Sequence, residues 1–251
     1  MEDDGTRAAG AELPGGYINP VVRIGDTVRR QPGPNPEFVR TLLRHLEACG
    51  FKAPRFLGID DQGRDIFSYI EGHVAWEAEQ PPGVWTDEAL IEVSRLTRRF
   101  HDLTADTALA GNQEVVCHND LSPRNTVYRS FDGLYRPVAF IDWDDTAPGE
   151  RAADLAFSFW SYLHPCPRHA NIGTHARRMH AMLDAYGFEG DRAKMIGRMV
   201  RRVQTVYDGI IELAATSAAH NRLIRLGALE SISEGLDWLR DNQVALEEAL
   251  E

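Results

Sequence analysis

Three polar side chains with the chemistry of phosphoryl transfer occur in the middle of the chain. Asp120 and Asn125 follow an apolar, β-prone run at 115–117, and Asp142 follows a second such run at 138–141. Residues at the ends of neighbouring strands can converge on one point, because a rigid scaffold positions the loops between them. One carboxylate can orient a hydroxyl, while an Asn and a second carboxylate can hold Mg²⁺ on phosphate groups. The spacing therefore indicates phosphoryl transfer.

The order of these residues resembles a known family. The run His118-x-Asp120-x-x-x-x-Asn125, with a further acid after the next apolar strand, is similar to the pattern of the aminoglycoside phosphotransferase family, which shares the catalytic core of protein kinases. The resemblance is strong from His118 to Asp154 and weaker in the N-terminal part. It implies an ATP- and Mg²⁺-dependent reaction in which Asp120 orients or deprotonates the acceptor hydroxyl, and Asn125 and Asp142 hold the metal. The alternative is a β-hairpin with acidic residues in its turns.

The resemblance also implies nucleotide-binding residues in the N-terminal part. Gly15 and Gly16 stand where the family's phosphate-covering loop would lie, but they do not complete a G-x-G-x-x-G pattern, and a plain turn is an equal alternative. Arg30 falls where the family usually places Lys; it keeps the charge, but its planar fork is not equivalent to an ammonium. Glu71, followed by a glycine, resembles the hinge between lobes, where backbone groups would meet the adenine. An ordinary strand exit is the alternative there.

A helix predicted to begin near Asn35 departs from the family pattern. Family members commonly carry a Glu on this helix that pairs with the strand cation, but this chain has Val39 at that place. Glu37 is two residues away from the matching position. The usual ion pair with Arg30, and with it the affinity for ATP, is therefore in question.

The pattern of elements favours an α+β, protein-kinase-like fold with two lobes. Short strand candidates around turn signals and a single helix predict a reduced N-lobe with an antiparallel sheet over residues 1–72. Apolar residues at helical spacing dominate 73–251, which predicts a mainly helical C-lobe with the catalytic loop, metal site and acceptor pocket. Only twelve positions separate Asp142 from Asp154, which leaves no room for a protein-kinase activation segment. That favours a small molecule over a peptide as the phosphate acceptor.

Five further polar residues near this site have an expected role, and for three of them an alternative role stays open. We expect His101 to be a packed core residue, because no metal-ligand cluster lies near it in sequence. We expect His118 to fix the loop through the backbone, since a carboxylate suits the base better. Asp154 matches the family's buried Asp that hydrogen-bonds the catalytic loop, or else it is an exposed acid in the first turn of a helix. Arg124 faces either phosphate or solvent, and Asp144 either assists the metal ligands or caps a turn.

Composition limits the partners and the compartment. The 251 residues carry a net charge of −11, which argues against a nucleic-acid partner because phosphate backbones require clustered Lys and Arg. Three widely spaced cysteines indicate no disulfide framework and fit a reducing cytoplasm. The first residues lack the pattern of a signal peptide, and no apolar run approaches transmembrane length, so we expect no membrane partner. The oligomeric state stays open.

The acceptor is not determined by these residues. An aminoglycoside is the acceptor that the family name implies, yet the fold also hosts sugar, choline and amino-acid kinases, and ATP and GTP are both open. Four acids near the C-terminus lie at helical spacing and would suit a cationic acceptor, although a solvated helix face is the commoner outcome. They are Glu230, Glu234, Asp237 and Asp241. A rival hypothesis is a non-catalytic binding or immunity module that keeps the kinase-like fold.

Overall fold

The N-terminal part of the protein is an antiparallel sheet with one helix. The computed structural model describes residues 10–13, 20–77, 79–163 and 171–251. The five strands of the sheet, in the order β1-β2-β3-β5-β4, are β1 (Ala11–Glu12), β2 (Val22–Ile24), β3 (Thr27–Arg30), β4 (Phe56–Ile59) and β5 (Asp65–Ser68). Helix α1 (Pro36–Ala48) connects β3 to β4. Strand β3 is therefore central, with Arg30 at its end.

Local sequence explains how these elements begin and end. Gly25 has a φ of 59° in the turn between β2 and β3, a conformation that glycine adopts without steric cost. Helix α1 has Pro36 in its first turn, but the side chain of Asn35 makes no capping hydrogen bond. The helix ends before Gly50, whose φ is 66°. Its buried apolar face consists of Val39, Leu42, Leu43 and Leu46.

The C-terminal part is mainly helical, with two small antiparallel sheets near its start. One sheet contains β6 (His73–Val74), β8 (Thr126–Phe131) and β9 (Leu134–Phe140), and the other contains β7 (Val115–Cys117) and β10 (Ala147–Gly149). The helices are α2 (Asp87–Thr104), α3 (Arg151–Leu163), α4 (Ile172–Tyr186), α5 (Lys194–Ala214), α6 (Ala218–Arg225), α7 (Ala228–Asp241) and α8 (Gln243–Glu248). Within the described ranges, no helix is long and apolar enough to cross a membrane. This architecture confirms the predicted α+β class.

One hydrophobic core joins the two parts of the chain. Trp143, between β9 and β10, is buried and packs edge-on against Phe51 and Phe100, with ring centroids 6.4 and 5.0 Å away. Phe51 follows α1 and Phe100 lies on α2, so the three rings connect the N-terminal helix to the C-terminal part. Such aromatic pairs each contribute about 0.5–1.5 kcal/mol beyond the area they bury. Since Trp143 stands between Asp142 and Asp144, this packing fixes the segment that carries both acids.

The connection between the two parts passes through Gly72. Its φ is 155°, and a Cβ at this position would lie 2.6 Å from the carbonyl oxygen of Tyr128, so only glycine fits without a shift. Gly72 lies after β5 and immediately before β6. We retain the division into lobes at 1–72 and 73–251 as a proposal.

A buried ion pair holds α1 against the N-terminal sheet. The guanidinium of Arg40 donates to Oδ1 of Asp65 from Nε at 3.0 Å and from Nη2 at 2.6 Å. Only 7% of Arg40 and 3% of Asp65 is exposed. Glu37 also contacts Arg40, but from an exposed position. A charge buried without its partner is costly, so the pair constrains where α1 lies on the sheet.

Asp65→Leu should lower the free energy of unfolding by roughly 3–5 kcal/mol, because the buried guanidinium of Arg40 loses its partner. Glu37→Gln is the matched control, since it removes an exposed contact with the same Arg40 and should cost at most about 1 kcal/mol. Urea unfolding followed by circular dichroism measures both losses. Equal losses in the two variants would contradict the role given to Asp65.

Candidate active site

The loop between β7 and β8 folds so that Asn125 closes onto Asp120. The Nδ2 of Asn125 donates to the carbonyl oxygen of Asp120 at 2.9 Å and to its carboxylate Oδ2 at 2.6 Å. The carbonyl oxygen of Asn125 accepts the N–H of Ile141 at 2.9 Å, which ties the loop to the end of β9. Among the described residues, no donor contacts Oδ1 of Asn125. That oxygen is available to a ligand.

Arg30 reaches from β3 to the acids that follow β9. Its Nη1 donates to Oδ1 of Asp142 at 2.8 Å, and its Nη2 contacts Oδ2 of Asp144. Asp142 has a φ of 63°, a conformation that residues other than glycine rarely adopt and that is often found at functional sites. The structure thus brings together Arg30 and Asp142, which the sequence separates by 112 positions.

The carboxylates of Asp142 and Asp144, here called the acid pair, could bind a cation that takes its remaining ligands from another molecule. Asp142 and Asp144 converge on the guanidinium of Arg30, so their carboxylates already face a positive charge. In the part of the chain that the structure describes, no three His, Cys, Asp or Glu side chains cluster as a metal site. Mg²⁺ commonly takes one or two carboxylates and completes its shell with water and substrate phosphates. The donors present therefore fit Mg²⁺ that arrives with a nucleotide.

The carboxylate of Asp154, on α3, anchors the loop between β7 and β8, which is the candidate catalytic loop. Its two oxygens accept the backbone N–H groups of His118 and Asn119 at 2.9 and 2.8 Å. On the other side, Nε2 of His101 lies 3.0 Å from Oδ2, and Nδ1 of His101 lies 2.7 Å from the hydroxyl of Tyr186. Burial would raise the pKa of Asp154, but the hydrogen bonds and charge of its partners hold it below its ordinary value. Asp154 is therefore a buried anchor and not an exposed helix acid.

His118 acts through the backbone, as predicted. Its ring is buried and packs on Trp143, with centroids 4.7 Å apart, and its Nε2 lies 3.2 Å from the carbonyl oxygen of Ile141. Burial lowers the pKa of His118, which favours the neutral ring. A neutral ring with its proton on Nε2 can donate to Ile141. His118 thus connects the loop to the segment that carries Asp142.

Asp120 lies in surroundings that disfavour its charged form. Burial, followed by the negative charges of Asp142 and Asp145, raises the pKa of its carboxyl to about 7. The hydrogen bond from Asn125 and the charge of Arg202 oppose that shift. A carboxyl that titrates near neutral pH can both accept and release a proton under ordinary conditions.

Arg202 is a residue of this site that the sequence analysis missed. It lies on α5, and its Nη2 donates to the carbonyl oxygen of Asn119 at 2.9 Å. Its guanidinium stacks over the ring of Phe157 at 5.2 Å. Arg202 precedes the buried Val203, but nothing in the sequence sets it apart from the other arginines of α5. The structure therefore places α5 directly beside the catalytic loop.

The proposed hinge lies beside a cavity of about 650 Å³. Glu71 lines this cavity with residues of β2, β8 and the segment before β6, and its carbonyl oxygen accepts a hydrogen bond from Nε of Arg129 at 3.0 Å. That oxygen is therefore already engaged by the protein. At the same opening, the guanidinium of Arg23 lies 3.7 Å from the ring centroid of Tyr69. Gly15 and Gly16 lie outside the described residues.

The remaining residues that the sequence suggested for ion pairing, phosphate contact or acceptor binding lie in the core or at the surface. Val39 is buried in the core and Glu37 contacts Arg40, so neither pairs with Arg30, and the family's usual ion pair is replaced. Arg124 is exposed. The four C-terminal acids are exposed as well; they are Glu230, Glu234, Asp237 and Asp241.

The sheet order, the helical C-terminal part and the loop that joins Asp120 to Asn125 define a protein-kinase-like phosphotransferase fold. The model of the phosphotransferase enzyme family APH matches residues 84–196. The trifolitoxin immunity protein of Rhizobium leguminosarum bv. trifolii is 32% identical over 266 residues, which covers 95% of this chain and 97% of that protein. The chain belongs to the aminoglycoside phosphotransferase family, as its motif predicted.

Solved structures share the fold at low sequence identity. Plasmodium vivax ethanolamine kinase has a TM-score of 0.66 at 11% identity, covering 96% of this chain and 83% of that chain. The aminoglycoside phosphotransferase APH(3'')-Id from Streptomyces rimosus, in complex with ADP and streptomycin, has a TM-score of 0.57 at 18% identity, covering 78% and 92%. The GDP complex of aminoglycoside 2'-phosphotransferase-IIIa has a TM-score of 0.54 at 13% identity, covering 96% and 94%. These likenesses establish the fold.

Asp154→Ala should release the catalytic loop, because two charge-assisted hydrogen bonds worth about 1.5–3 kcal/mol each are lost. We expect faster amide hydrogen exchange at His118 and Asn119 and a loss of at least about 3 kcal/mol in stability. Hydrogen exchange measured by NMR resolves the two amides. Glu92→Ala, on α2 and bound to Arg95 at the surface, is the control. Unchanged protection of both amides in Asp154→Ala would contradict the anchor.

Proposed function

We propose that this protein transfers the terminal phosphoryl group of a nucleoside triphosphate to a hydroxyl of a small molecule, with Mg²⁺ as cofactor. The observation that supports this most directly is the hydrogen bond from Asn125 to the Asp120 carboxylate, made beside Asp142. The carboxyl of Asp120, whose pKa is raised to about 7 by burial and by the neighbouring Asp142 and Asp145, supports a catalytic role. Perturbed acids of this kind cluster at catalytic sites.

The proposed roles follow from the contacts of each side chain. Asp120 accepts the proton of the acceptor hydroxyl, and burial raises its pKa to about 7, close to neutral pH. Asn125 uses Nδ2 to orient Asp120, which leaves Oδ1 for the metal. Asp142 supplies the carboxylate ligand. Bound Mg²⁺ would neutralise charge on the phosphates of the nucleotide.

The nucleotide would enter between the lobes. Arg30 lies at the end of β3 beside Asp142, where a cation can steady phosphate groups. We propose that Gly15 and Gly16 cover the phosphates and that Glu71 belongs to the hinge beside the base. Because Arg129 already occupies the carbonyl oxygen of Glu71, other groups of the hinge must recognise the base. Similar structures hold ADP and GDP, so adenine and guanine nucleotides are both candidates.

A small-molecule acceptor is supported by the short stretch between Asp142 and Asp154. Strand β10 and the first turn of α3 occupy the stretch to Asp154, so no long segment can present a protein substrate. Similar proteins include kinases of aminoglycosides and ethanolamine, which are hydroxyl-bearing amines. The helix beside the catalytic loop, however, is α5 with Arg202, and the acids of α7 face solvent. The acceptor class therefore stays wider than aminoglycosides.

A cytoplasmic location completes the proposal. Cys49 and Cys117 are both free thiols, which fits a reducing compartment. Nucleoside triphosphates are the substrates that this compartment supplies.

A second candidate function is a non-catalytic immunity module. It is favoured by the similarity to a protein named for immunity to a toxin and by the engagement of Arg30 with both acids. Immunity by binding alone would not need the side chain of Asp120. Immunity by phosphorylation of the toxin would need it.

Asp120→Ala should reduce nucleotide-dependent phosphoryl transfer by at least about two orders of magnitude, the usual effect of losing a positioned base. Hydrolysis of ATP to ADP, in which water is the acceptor, measures this loss whatever the natural acceptor is. Asp132→Asn, in the exposed turn between β8 and β9, is the control. In a trifolitoxin-sensitive strain, protection by the Asp120→Ala variant equal to that by the parent would favour the binding module.

The rate should depend on pH through the ionisation of Asp120. Only the carboxylate accepts a proton, so kcat/KM for the nucleotide should rise as the pH increases through about 7 and then level off. Asp145→Asn removes a nearby negative charge, which lowers the pKa of Asp120 and moves the midpoint to lower pH. Steady-state rates from pH 5 to pH 9, about two units on either side, measure the midpoint. A flat profile, or a midpoint that Asp145→Asn does not move, would contradict the assignment.

A further inference from the structure

Arg30 lies where two carboxylates from the other side of the cleft meet. Its Nη1 binds Asp142 at 2.8 Å and its Nη2 binds Asp144. The Arg30 side chain is only 14% exposed, and its Nε is buried without a hydrogen-bond partner. Two negative charges thus converge on one guanidinium, so the pair of acids keeps one excess negative charge. That excess charge would attract a divalent cation to the same two acids.

The position of Asp144 is built into the fold. Its carboxylate lies against the backbone of Gly33, where a Cβ would come within 2.6 Å of the carboxyl carbon of Asp144. The residue before it, Trp143, is buried, and its indole N–H donates to the carbonyl oxygen of Phe140 at 3.1 Å. With Trp143 fixed inside, the acids on either side of it face the cleft together. The packing of Gly33 and Trp143 around Asp144 thus limits where its carboxylate can lie.

We propose that Asp144 is, with Asp142, a ligand of the cation site, and that the guanidinium of Arg30 occupies this site until metal and nucleotide enter. The inference rests on the proposed function, since the nucleotide provides the phosphates to which Arg30 moves. A metal ion alone would leave Arg30 with no acid partner beside a second cation, which is unfavourable. Nucleotide phosphates accept the released guanidinium through charge-assisted hydrogen bonds. Metal and nucleotide therefore bind cooperatively.

The test is Mn²⁺ binding to the full chain, followed by the EPR signal of the free ion, with and without ADP. Arg30→Met should raise the affinity for Mn²⁺ in the absence of ADP by about tenfold or more, because the internal competitor is gone. It should also weaken ADP binding and remove the cooperativity between ADP and Mn²⁺. Arg29→Met is the matched control, because its neighbouring guanidinium lies by Asp60 and not by the acid pair, and it should leave both affinities unchanged.

A second variant tests the metal ligand. Asp144→Asn should weaken Mn²⁺ binding in the presence of ADP by about tenfold, a typical effect of altering a metal site. In the Arg30→Met background it should reverse the gain in affinity for Mn²⁺ alone. Circular dichroism and thermal unfolding establish that each variant is folded. Mn²⁺ affinities that Asp144→Asn leaves unchanged would overturn its assignment as a ligand.

The outcomes separate this inference from the proposed function. If the parent binds Mn²⁺ and ADP and Arg30→Met binds Mn²⁺ alone with the parent's affinity, the inference is overturned and the proposed function stands. If no variant binds ADP but Arg30→Met gains Mn²⁺ affinity, the proposed function fails and, with it, the movement of Arg30 to phosphates, while the competition between Arg30 and the cation for the acid pair stands. Arg30→Lys is an intermediate variant, because one ammonium cannot bridge both acids as a guanidinium does. The Mn²⁺ affinity of Arg30→Lys should therefore fall between those of the parent and Arg30→Met.

Discussion

The catalytic loop depends on one buried carboxylate. Asp154 accepts hydrogen bonds from two consecutive backbone N–H groups of the loop and from His101 on α2, so three separate parts of the chain meet at its oxygens. Asp154 and His101 are fully buried, and burial makes each unsatisfied group costly. The loop can therefore leave its position only by breaking a polar network inside the core. This constraint fixes Asn119 at a φ of 65° and, with it, the direction in which Asp120 points.

A second set of contacts connects this loop to the segment after β9 that contains Asp142 and Asp144. The ring of His118 packs on Trp143 and contacts the carbonyl oxygen of Ile141, while the N–H of Ile141 binds the carbonyl oxygen of Asn125. The loop and the acid-bearing segment are thus joined through both main chain and side chains. Asp142 cannot shift relative to the loop unless Trp143 leaves the aromatic cluster that also holds the helices of both parts of the chain.

The sequence predicted the site better where its residues are close in the chain. The spacing of Asp120 and Asn125 predicted that the two residues lie close together, because a short loop can close in few ways. The apolar run before Asp142 predicted the end of its strand. Arg202 lies 83 positions from its partner in the loop, and nothing local marks it as different from the other arginines of α5. Asn35 stands at the helix N-terminus but does not cap it, since propensity gives a residue's preference and not its actual partner.

The ion pairs of the N-terminal part differ from the family pattern, and one physical explanation accounts for the difference. With Val39 in place of an acid, α1 offers nothing to hold Arg30, and a longer, forked cation can cross the cleft to Asp142 and Asp144. The helix is then held to the sheet by Arg40 and Asp65, a pair separate from Arg30 and the two acids that it contacts. The placement of α1 thus does not depend on Arg30, whose acidic partners are Asp142 and Asp144. Asp142, Asp144 and Arg30 together carry one excess negative charge, so under the proposed function this part of the cleft would favour a metal-bound nucleotide over a free one.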